Sequence, residues 1–239
     1  MKKFKTLVST ASVLGATLIS SGAVFAASTG SANEQKQTPI TTTLQAPANP
    51  VNPIPPQPDG PGQDNNSNNT NNNVNGTFGI AYQPSGFTFA TDNLSSTGEQ
   101  VIQVTNNHTN ATYNVGVKDM THDNKGWTLT AQLSWTTNSI QGATIETTNN
   151  GEVKKNINKD NNNFNNQTDL VPVTTGVTGE ANVSINGSAK TVMTGEKGTV
   201  HNAVYDYALG NVSLKIPETS VVSAGSYSGN VNWNLQVTP

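Results

Sequence analysis

Two stretches of strict alternation constrain the fold of this chain more than any other feature. In residues 127–135 an apolar side chain stands at every second position, with tryptophan at both ends and Thr, Gln or Ser between. Residues 231–237 repeat the pattern around Trp233, with Asn and Gln as the intervening residues. Because successive side chains of a strand point to opposite faces, each stretch is predicted to be a β-strand with one apolar face.

The rest of the ordered chain follows the same pattern. Val, Ile, Thr and aromatic residues alternate between clusters of turn residues, and no segment shows a sustained helical period. The sequence therefore predicts an all-β fold, a single β-sandwich-like domain of many short antiparallel strands. Strands are predicted at residues 78–82, 99–105, 112–118, 127–135, 143–147, 169–173, 181–185, 189–193, 199–205, 211–216 and 227–237. The Asn186-Gly187 pair between two of them is typical of a hairpin turn.

The N-terminal part of the chain divides into two segments of different composition. Residues 1–26 carry lysines, then an apolar run, then the small residues of Val24-Phe25-Ala26, which is the pattern of a secretory signal peptide with cleavage before Ala27. Residues 27–76 are rich in Pro, Asn and Ser and are predicted to be a disordered spacer. No later apolar run reaches the length of a membrane span, so the mature chain is expected to be secreted without a transmembrane segment.

Residues 77–239 are then predicted to be the β domain. Within it, the Asn-rich run at residues 149–166 is predicted to be a long, mobile surface loop, because it has little apolar surface to bury.

Charge and cysteine content exclude several classes of function. The net charge is −3 and every basic residue is a lysine, whereas a nucleic-acid-binding face is normally rich in both Arg and Lys, so no nucleic acid partner is expected. The chain has no cysteine, which excludes disulfides, thiolate metal sites and cysteine nucleophiles.

No histidine has the spacing of a metal ligand. His108, His122 and His201 fall on separate predicted elements, and each is predicted to be a surface or loop residue. The sequence accordingly predicts no metal site and no cofactor.

A run that begins at Asp160 has the composition of a calcium loop. The EF-hand pattern also needs Gly at its sixth position and Glu at its twelfth, where this chain has Asn165 and Val171. The preferred interpretation is a solvated loop. A weak calcium site built from Asp123, Asp160 or Asp169 is the alternative.

Motifs of catalysis and of covalent wall attachment are also missing. The chain has no nucleophile elbow, phosphate-binding loop or zinc-protease helix, and its carboxylates are scattered, so it is predicted not to be an enzyme. Residues 216–220, Ile-Pro-Glu-Thr-Ser, are close to the LPxTG sorting signal but have Ser220 in place of the glycine, without the hydrophobic segment and basic tail that should follow. Covalent anchoring is therefore not expected, and Pro217 is predicted to end a strand.

The two Trp-containing strands resemble the paired motifs of the WxL domain, a C-terminal surface domain of Gram-positive bacteria. The residues that carry the resemblance are Gly126-Trp127-Thr128-Leu129-Thr130 preceded by Asp119, and Tyr227-Ser228-Gly229-Asn230-Val231-Asn232-Trp233-Asn234-Leu235 with Pro239. Residues 211–217 and 224–227 fit the approach to the second motif, so the resemblance covers roughly residues 77–239. One feature departs from the family. Its members usually carry an Arg shortly after the aspartate, and here Asp119 is followed by Met-Thr-His.

The resemblance implies a non-catalytic module that attaches non-covalently to the cell wall, with peptidoglycan as the ligand. It also implies assembly with other WxL proteins and with a membrane-anchored WxL-interacting protein. A secreted carbohydrate-active β-sandwich enzyme, or an adhesin that binds host or glycan ligands, is the alternative.

The motif residues Trp127, Leu129, Trp233 and Leu235 are the predicted binding or fold-defining site. Their tryptophans either stack on a glycan or fill a partner's pocket, or they form the sandwich core. Their position on the apolar face of each strand favours the core.

Overall fold

The computed structural model describes residues 36–48, 52–58, 67–105, 108, 110–158 and 164–238. The predicted signal peptide and Asp160 lie outside these residues. Within these residues, the regular structure consists of fourteen strands and one turn of 3₁₀ helix at Thr219–Val221. The strands are β1 (Asn69–Asn71), β2 (Phe78–Pro84), β3 (Gln100–Gln103), β4 (Asn114–Asp119), β5 (Gly126–Thr137), β6 (Thr144–Thr148), β7 (Lys154–Asn156), β8 (Leu170–Pro172), β9 (Val177–Gly179), β10 (Ser184–Ile185), β11 (Lys190–Gly195), β12 (Ala203–Ala208), β13 (Asn211–Ile216) and β14 (Ser228–Thr238).

These strands form three antiparallel sheets, which confirms the predicted all-β class. The first sheet has the order β1-β2-β4-β12-β7-β8, the second β10-β6-β13-β3, and the third β14-β5-β11-β9. One cluster of buried apolar side chains takes residues from all three sheets, among them Val117, Leu129 and Ile145. β13 ends at Ile216, immediately before Pro217, as predicted.

The two strands of the Trp motifs lie side by side. β14 pairs antiparallel with β5 over its whole length, and Leu235 lies opposite Leu129. In the same register Trp233 lies opposite Ala131, and Val237 lies opposite Trp127. The two motifs therefore form one antiparallel ribbon, with their apolar residues on the same face.

The predicted hairpin at Asn186-Gly187 is wrong. β10 pairs with β6 in the second sheet, whereas β11 pairs with β5 and β9 in the third, so the chain changes sheets at this turn. The turn itself is stabilised locally, because the Asn186 side chain accepts a hydrogen bond from Ser188 N at 2.9 Å. The Asn186 carbonyl accepts another from Leu133 N at 2.8 Å. A favourable turn pair sets the local bend but does not choose the strand that each arm pairs with.

The Asn-rich run at residues 149–166 is not a simple mobile loop. It contains β7, which pairs with both β12 and β8, and Val153 and Phe164 are buried. Asn156 is also buried, and its side-chain oxygen accepts a hydrogen bond from Asn158 N at 3.1 Å. Asparagine bonds its own backbone two residues on, so an Asn-rich composition also fits an ordered, turn-rich segment. Residues 159–163 lie outside the described part of the chain.

Ordered structure also begins upstream of the predicted boundary at Thr77. β1 pairs with β2, and residues 52–58, which we call the proline strap, are largely buried. Side-chain amides of the first sheet and its neighbouring loop hold the strap, since Asn156 donates to the Ile54 carbonyl at 2.8 Å and Asn166 donates to the Gln57 carbonyl at 2.9 Å. Proline has no N–H but keeps its carbonyl, so a proline-rich segment is ordered once donors from elsewhere reach it.

The first sheet is buried on both faces, because the strap and the segment at Val74 lie over its outer face. Along β4 the side chains of Val115 and Val117 enter the main core, while Asn114 and Lys118 point to the other face. On that other face Lys118 Nζ donates to the Val74 carbonyl at 2.9 Å. Residues 36–48, by contrast, are exposed and contain no helix or strand.

Candidate functional site

Trp127, the tryptophan of the first motif, is a core residue. Its side chain is 1% exposed, and its ring lies 6.0 Å from that of Tyr205 and 6.1 Å from that of His201. It packs directly on Gly195, where an added Cβ would come within 2.4 Å of the indole ring. Its Nε1 makes no hydrogen bond in the described part of the chain. Trp127 therefore contributes packing, and its burial closes it to a ligand.

Trp233, the tryptophan of the second motif, has a different environment. β14 is an edge strand with a single neighbour, β5, and Trp233 and Leu235 are only half-buried. Val237, on the same face, is 48% exposed. Trp127 thus lies inside the core, whereas Trp233 packs against the edge of the core and keeps part of its ring exposed. Trp233 is thus available to a ligand, whereas Trp127 and Leu129 are not.

Trp233 lines the wall of an open cavity of about 790 Å³ between the second and third sheets. The floor carries apolar side chains of both sheets, such as Leu133 and Leu214. Two segments form its sides, residues 84–94, from the last residue of β2 onward, and residues 222–230, which lead into β14. We call this cavity the aromatic groove, and its aromatic residues are Phe87, Phe89, Trp135, Tyr227 and Trp233.

The aromatic side chains of the groove are half-buried and hold each other in place. The rings of Trp135 and Tyr227 meet edge to face at 6.2 Å and 73°. The Tyr227 hydroxyl donates to the Ser223 carbonyl at 2.6 Å, which ties the ring to its own loop. At the other side, Phe87 packs edge to face on Tyr113 at 5.1 Å. Fixed aromatic rings with an exposed face suit a ligand that offers flat apolar patches together with polar groups.

The groove has almost no charge. Among the described residues that line it, Asp92 is the only one with a carboxylate, and none carries a basic side chain. Its polar groups are hydroxyls, amides and backbone groups of the two segments that form its sides. Glycoside hydrolysis usually requires a pair of carboxylates on either side of the scissile bond. The groove does not supply that pair and is better suited to binding an uncharged, hydrogen-bonding ligand.

Of the aromatic residues of the groove, only Trp233 is among the site residues predicted from the sequence. Trp135 is the last apolar residue of the predicted strand, and it lies beyond Leu133, the last buried position of β5. Phe87, Phe89 and Tyr227 flank turn-rich segments. The sequence signal for the groove was the presence of aromatic residues next to Gly- and Ser-rich turns. An aromatic residue in a loop has less neighbouring structure to cover it, so it is more often exposed to a ligand.

A second cluster of polar side chains lies under the proline strap. The Asp206 carboxylate accepts hydrogen bonds from Tyr82 Oη at 2.8 Å and from Asn114 Nδ2 at 3.0 and 3.1 Å. Burial raises the pKa of the Asp206 carboxyl to about 7, against the opposite effect of these hydrogen bonds. Burial likewise raises the pKa of Tyr82 well above its usual range. Both side chains are buried, so the cluster belongs to the packing of the strap.

Among the described residues, the histidines and aspartates that were considered as metal ligands do not form a metal-binding group. The described part of the chain contains no group of three or more His, Asp or Glu side chains that could hold a metal ion. His122 is exposed and His108 is half-buried. His201, predicted as a surface or loop residue, lies in a loop but is 1% exposed, with Nε2 lying 3.1 Å from the Glu196 carbonyl. It is buried because it completes the packing around Trp127.

Hydrogen bonds from Thr121 take the place of the arginine that the family pattern would put near Asp119. Asp119 is buried at the end of β4, where its carboxylate accepts hydrogen bonds from Thr121 Oγ1 at 2.7 Å and from Thr121 N at 3.2 Å. Thr121 thus supplies donors to a carboxylate that otherwise lacks the arginine expected nearby. His122, the next residue, takes a positive φ of 56°.

Comparison with known proteins agrees with the two motifs. A family model described as WxL domain, surface cell wall-binding, matches residues 26–239. No curated protein and no solved structure matches the chain. In the described residues, no helix has the length and apolar character needed to cross a membrane. The paired Trp strands and this match over nearly the whole sequence show that the chain belongs to the WxL domain family of surface cell wall-binding modules.

Proposed function

We propose that this protein is exported through the signal peptide at residues 1–26 and attaches non-covalently to peptidoglycan through the aromatic groove. The observation that carries the proposal is the groove itself, a cavity with almost no charge and with half-buried Trp135, Tyr227 and Trp233, in a member of a cell wall-binding family. The glycan strands of peptidoglycan are chains of sugar rings with hydroxyl and amide groups. Sugar rings stack on indole faces, and the loop hydroxyls and amides of the groove match the polar groups.

Binding, and not catalysis, is the activity that this groove supports. Asp92, the one carboxylate among the described residues that line the groove, is exposed in the middle of the segment between β2 and β3. A secreted carbohydrate-active enzyme would place an acid and a base or nucleophile on opposite sides of the sugar. The proposed protein is therefore a non-catalytic wall module.

The experiment is sedimentation of the purified protein with protein-free peptidoglycan. Variants Trp135→Ala and Trp233→Ala should lose most of their binding, because removal of a central aromatic anchor typically costs about 2 kcal/mol or more of binding free energy. Gln236→Ala is the matched control, since Gln236 is on β14 but is exposed on the opposite face. Thermal melts of all variants separate lost binding from lost folding. Binding that is unchanged in both Trp variants would reject the groove as the glycan site.

We further propose that the protein assembles with other WxL proteins and with a membrane-anchored WxL-interacting protein. This part is supported by the family membership alone. The test is retention on intact cell walls compared with walls treated with protease. Retention that disappears after protease treatment, together with no binding to protein-free peptidoglycan, would show attachment through a protein and replace the glycan proposal.

A further inference from the structure

The free edge of β14 is unlike every other sheet edge in the described part of the chain. β14 has eleven residues and pairs on one side only, with β5. The other five edge strands, β1, β3, β8, β9 and β10, have two to four residues each. Short edge strands are one of the ways in which proteins avoid pairing with other chains. β14 is long and therefore lacks this protection.

β14 also lacks the chemical devices that protect a long edge. From Ser228 to Thr238 it has no charged residue and no proline, whereas lysine and proline are the usual means of blocking edge pairing. Its only irregularity is a bulge next to Ser228, at the very start of the strand. The unpaired N–H and C=O groups of its outer side are therefore a template for another strand.

We propose that this edge pairs antiparallel with the same edge of a second copy, with a two-fold axis at Trp233, the middle residue of β14. A two-fold interface requires a surface that is complementary to itself. An uncharged strand meets this requirement, because no like charges are brought opposite each other. In this register Val231 lies opposite Leu235 of the second copy, and Asn232 lies opposite its Asn234.

The pairing keeps the two faces of the ribbon separate. Because side chains alternate, apolar residues meet apolar residues on the groove face, and asparagines meet asparagines on the other face. The third sheets of two copies would join into one sheet of eight strands, with the two aromatic grooves beside each other on one face. Asparagine side chains directly opposite each other also form hydrogen bonds across an antiparallel pair.

This inference goes beyond the proposed wall binding, because it needs neither peptidoglycan nor a second kind of protein. Its test uses the purified full chain without peptidoglycan, in sedimentation velocity over a range from micromolar to submillimolar concentration. The wild type should shift from monomer to dimer as the concentration rises. A wild type that stays monomeric throughout overturns the proposal.

Charge variants test the register. Asn232 and Asn234 are exposed on the face away from the groove, so N232K/N234K leaves the groove lining unchanged and places lysine opposite lysine twice. N232D/N234D likewise leaves the groove lining unchanged and places aspartate opposite aspartate twice. Each variant alone should dimerise about tenfold more weakly than the wild type, because like charges directly opposite each other destabilise a strand pair. An equimolar mixture of the two should form a heterodimer at least as stable as the wild-type dimer.

Gln236→Lys is the matched control. It adds one charge on the same face, opposite an uncharged residue in this register, and should dimerise nearly as well as the wild type. Thermal melts check that every variant is folded. A dimer that survives in both double variants, or a mixture that fails to recover dimerisation, overturns the β14 pairing. Because these variants spare the groove, their binding to peptidoglycan reports on the proposed function separately.

Discussion

At the scale of single residues, the two motif tryptophans differ because only one of them is covered on both sides. Trp127 lies on β5, an inner strand of the third sheet, beneath His201 and Tyr205. Trp233 lies on the edge strand and borders the groove. Identical sequence context, Trp-x-Leu on an alternating strand, thus leads to a core residue in one case and a half-exposed residue in the other.

This difference predicts different stability losses. Trp127→Ala should lower the free energy of unfolding by about 3–5 kcal/mol, the usual cost of removing a large buried aromatic side chain. Trp233→Ala should lower it by clearly less, because part of that ring is already in water. Chemical denaturation of both variants measures the two values. Equal losses would contradict the assignment of Trp233 to the exposed edge.

Asp206 predicts an unusual pH dependence of stability. The pKa of its carboxyl is about 7 in the folded protein and about 3.9 in an unfolded chain. At a pH between these two pKa values, the Asp206 carboxyl is protonated in the folded state and ionised in the unfolded state. The free energy of unfolding therefore falls as the pH rises. The loss is absent below about pH 4, complete above about pH 7, and on the order of 4 kcal/mol for this group.

Asp206→Asn is the corresponding test, because it keeps the size of the side chain and removes its titration. Urea unfolding of the wild type from pH 4 to pH 8 should show the decline, and the variant should show a flatter profile. A variant whose profile runs parallel to that of the wild type would show that the pKa of Asp206 is not raised by folding.

At the scale of elements, β14 covers the outer edge of β5. It forms the longest strand pair in the described part of the chain and places Val231, Trp233 and Leu235 against the main core. Removing residues 231–239 would uncover the backbone of β5 and much of the apolar edge of the third sheet. The truncated protein should be unfolded or aggregated, as judged by limited proteolysis and by circular dichroism. Soluble, protease-resistant protein that lacks these residues would contradict this role.

At the scale of the whole molecule, the folded unit extends further toward the N-terminus than the predicted domain. Deletion of residues 52–58 removes the acceptors of Asn156 and Asn166 and uncovers the outer face of the first sheet around Tyr82. This deletion should lower the melting temperature by several degrees, since even a loss of about 1 kcal/mol shifts the melting point of a domain of this size by a few degrees.

Deletion of residues 36–48 is the matched control for the strap. Those residues are exposed, with Ile40 at 94% and Leu44 at 88%, so their removal should leave the melting temperature unchanged. Differential scanning calorimetry compares the two variants with the wild type. Equal melting temperatures for all three proteins would show that the strap contributes nothing to stability.

The amino-acid sequence by itself determined the fold class, most of the strands and the family. These follow from alternation within single strands and from short motifs. Both are local properties, which can be read without knowing which strands pair. β5 and β14 were predicted nearly to their ends for this reason. Residues 69–71, 154–156 and 177–179 were missed as strands, because their sequences, Asn-Thr-Asn, Lys-Lys-Asn and Val-Thr-Gly, contain no alternation of apolar and polar residues.

Only the tertiary structure decided which strands pair and which faces are covered. Asn186-Gly187 shows this for pairing, because the same local turn serves a change of sheet as well as a hairpin. The proline strap shows it for order, because the donors that hold it come from Asn156 and Asn166, about a hundred residues away. The aromatic groove shows it for the site, because its wall joins Trp135, Tyr227 and Phe87 from separate segments. Burial and hydrogen bonding between distant segments depend on the packing of the whole chain, which alternation within one strand does not encode.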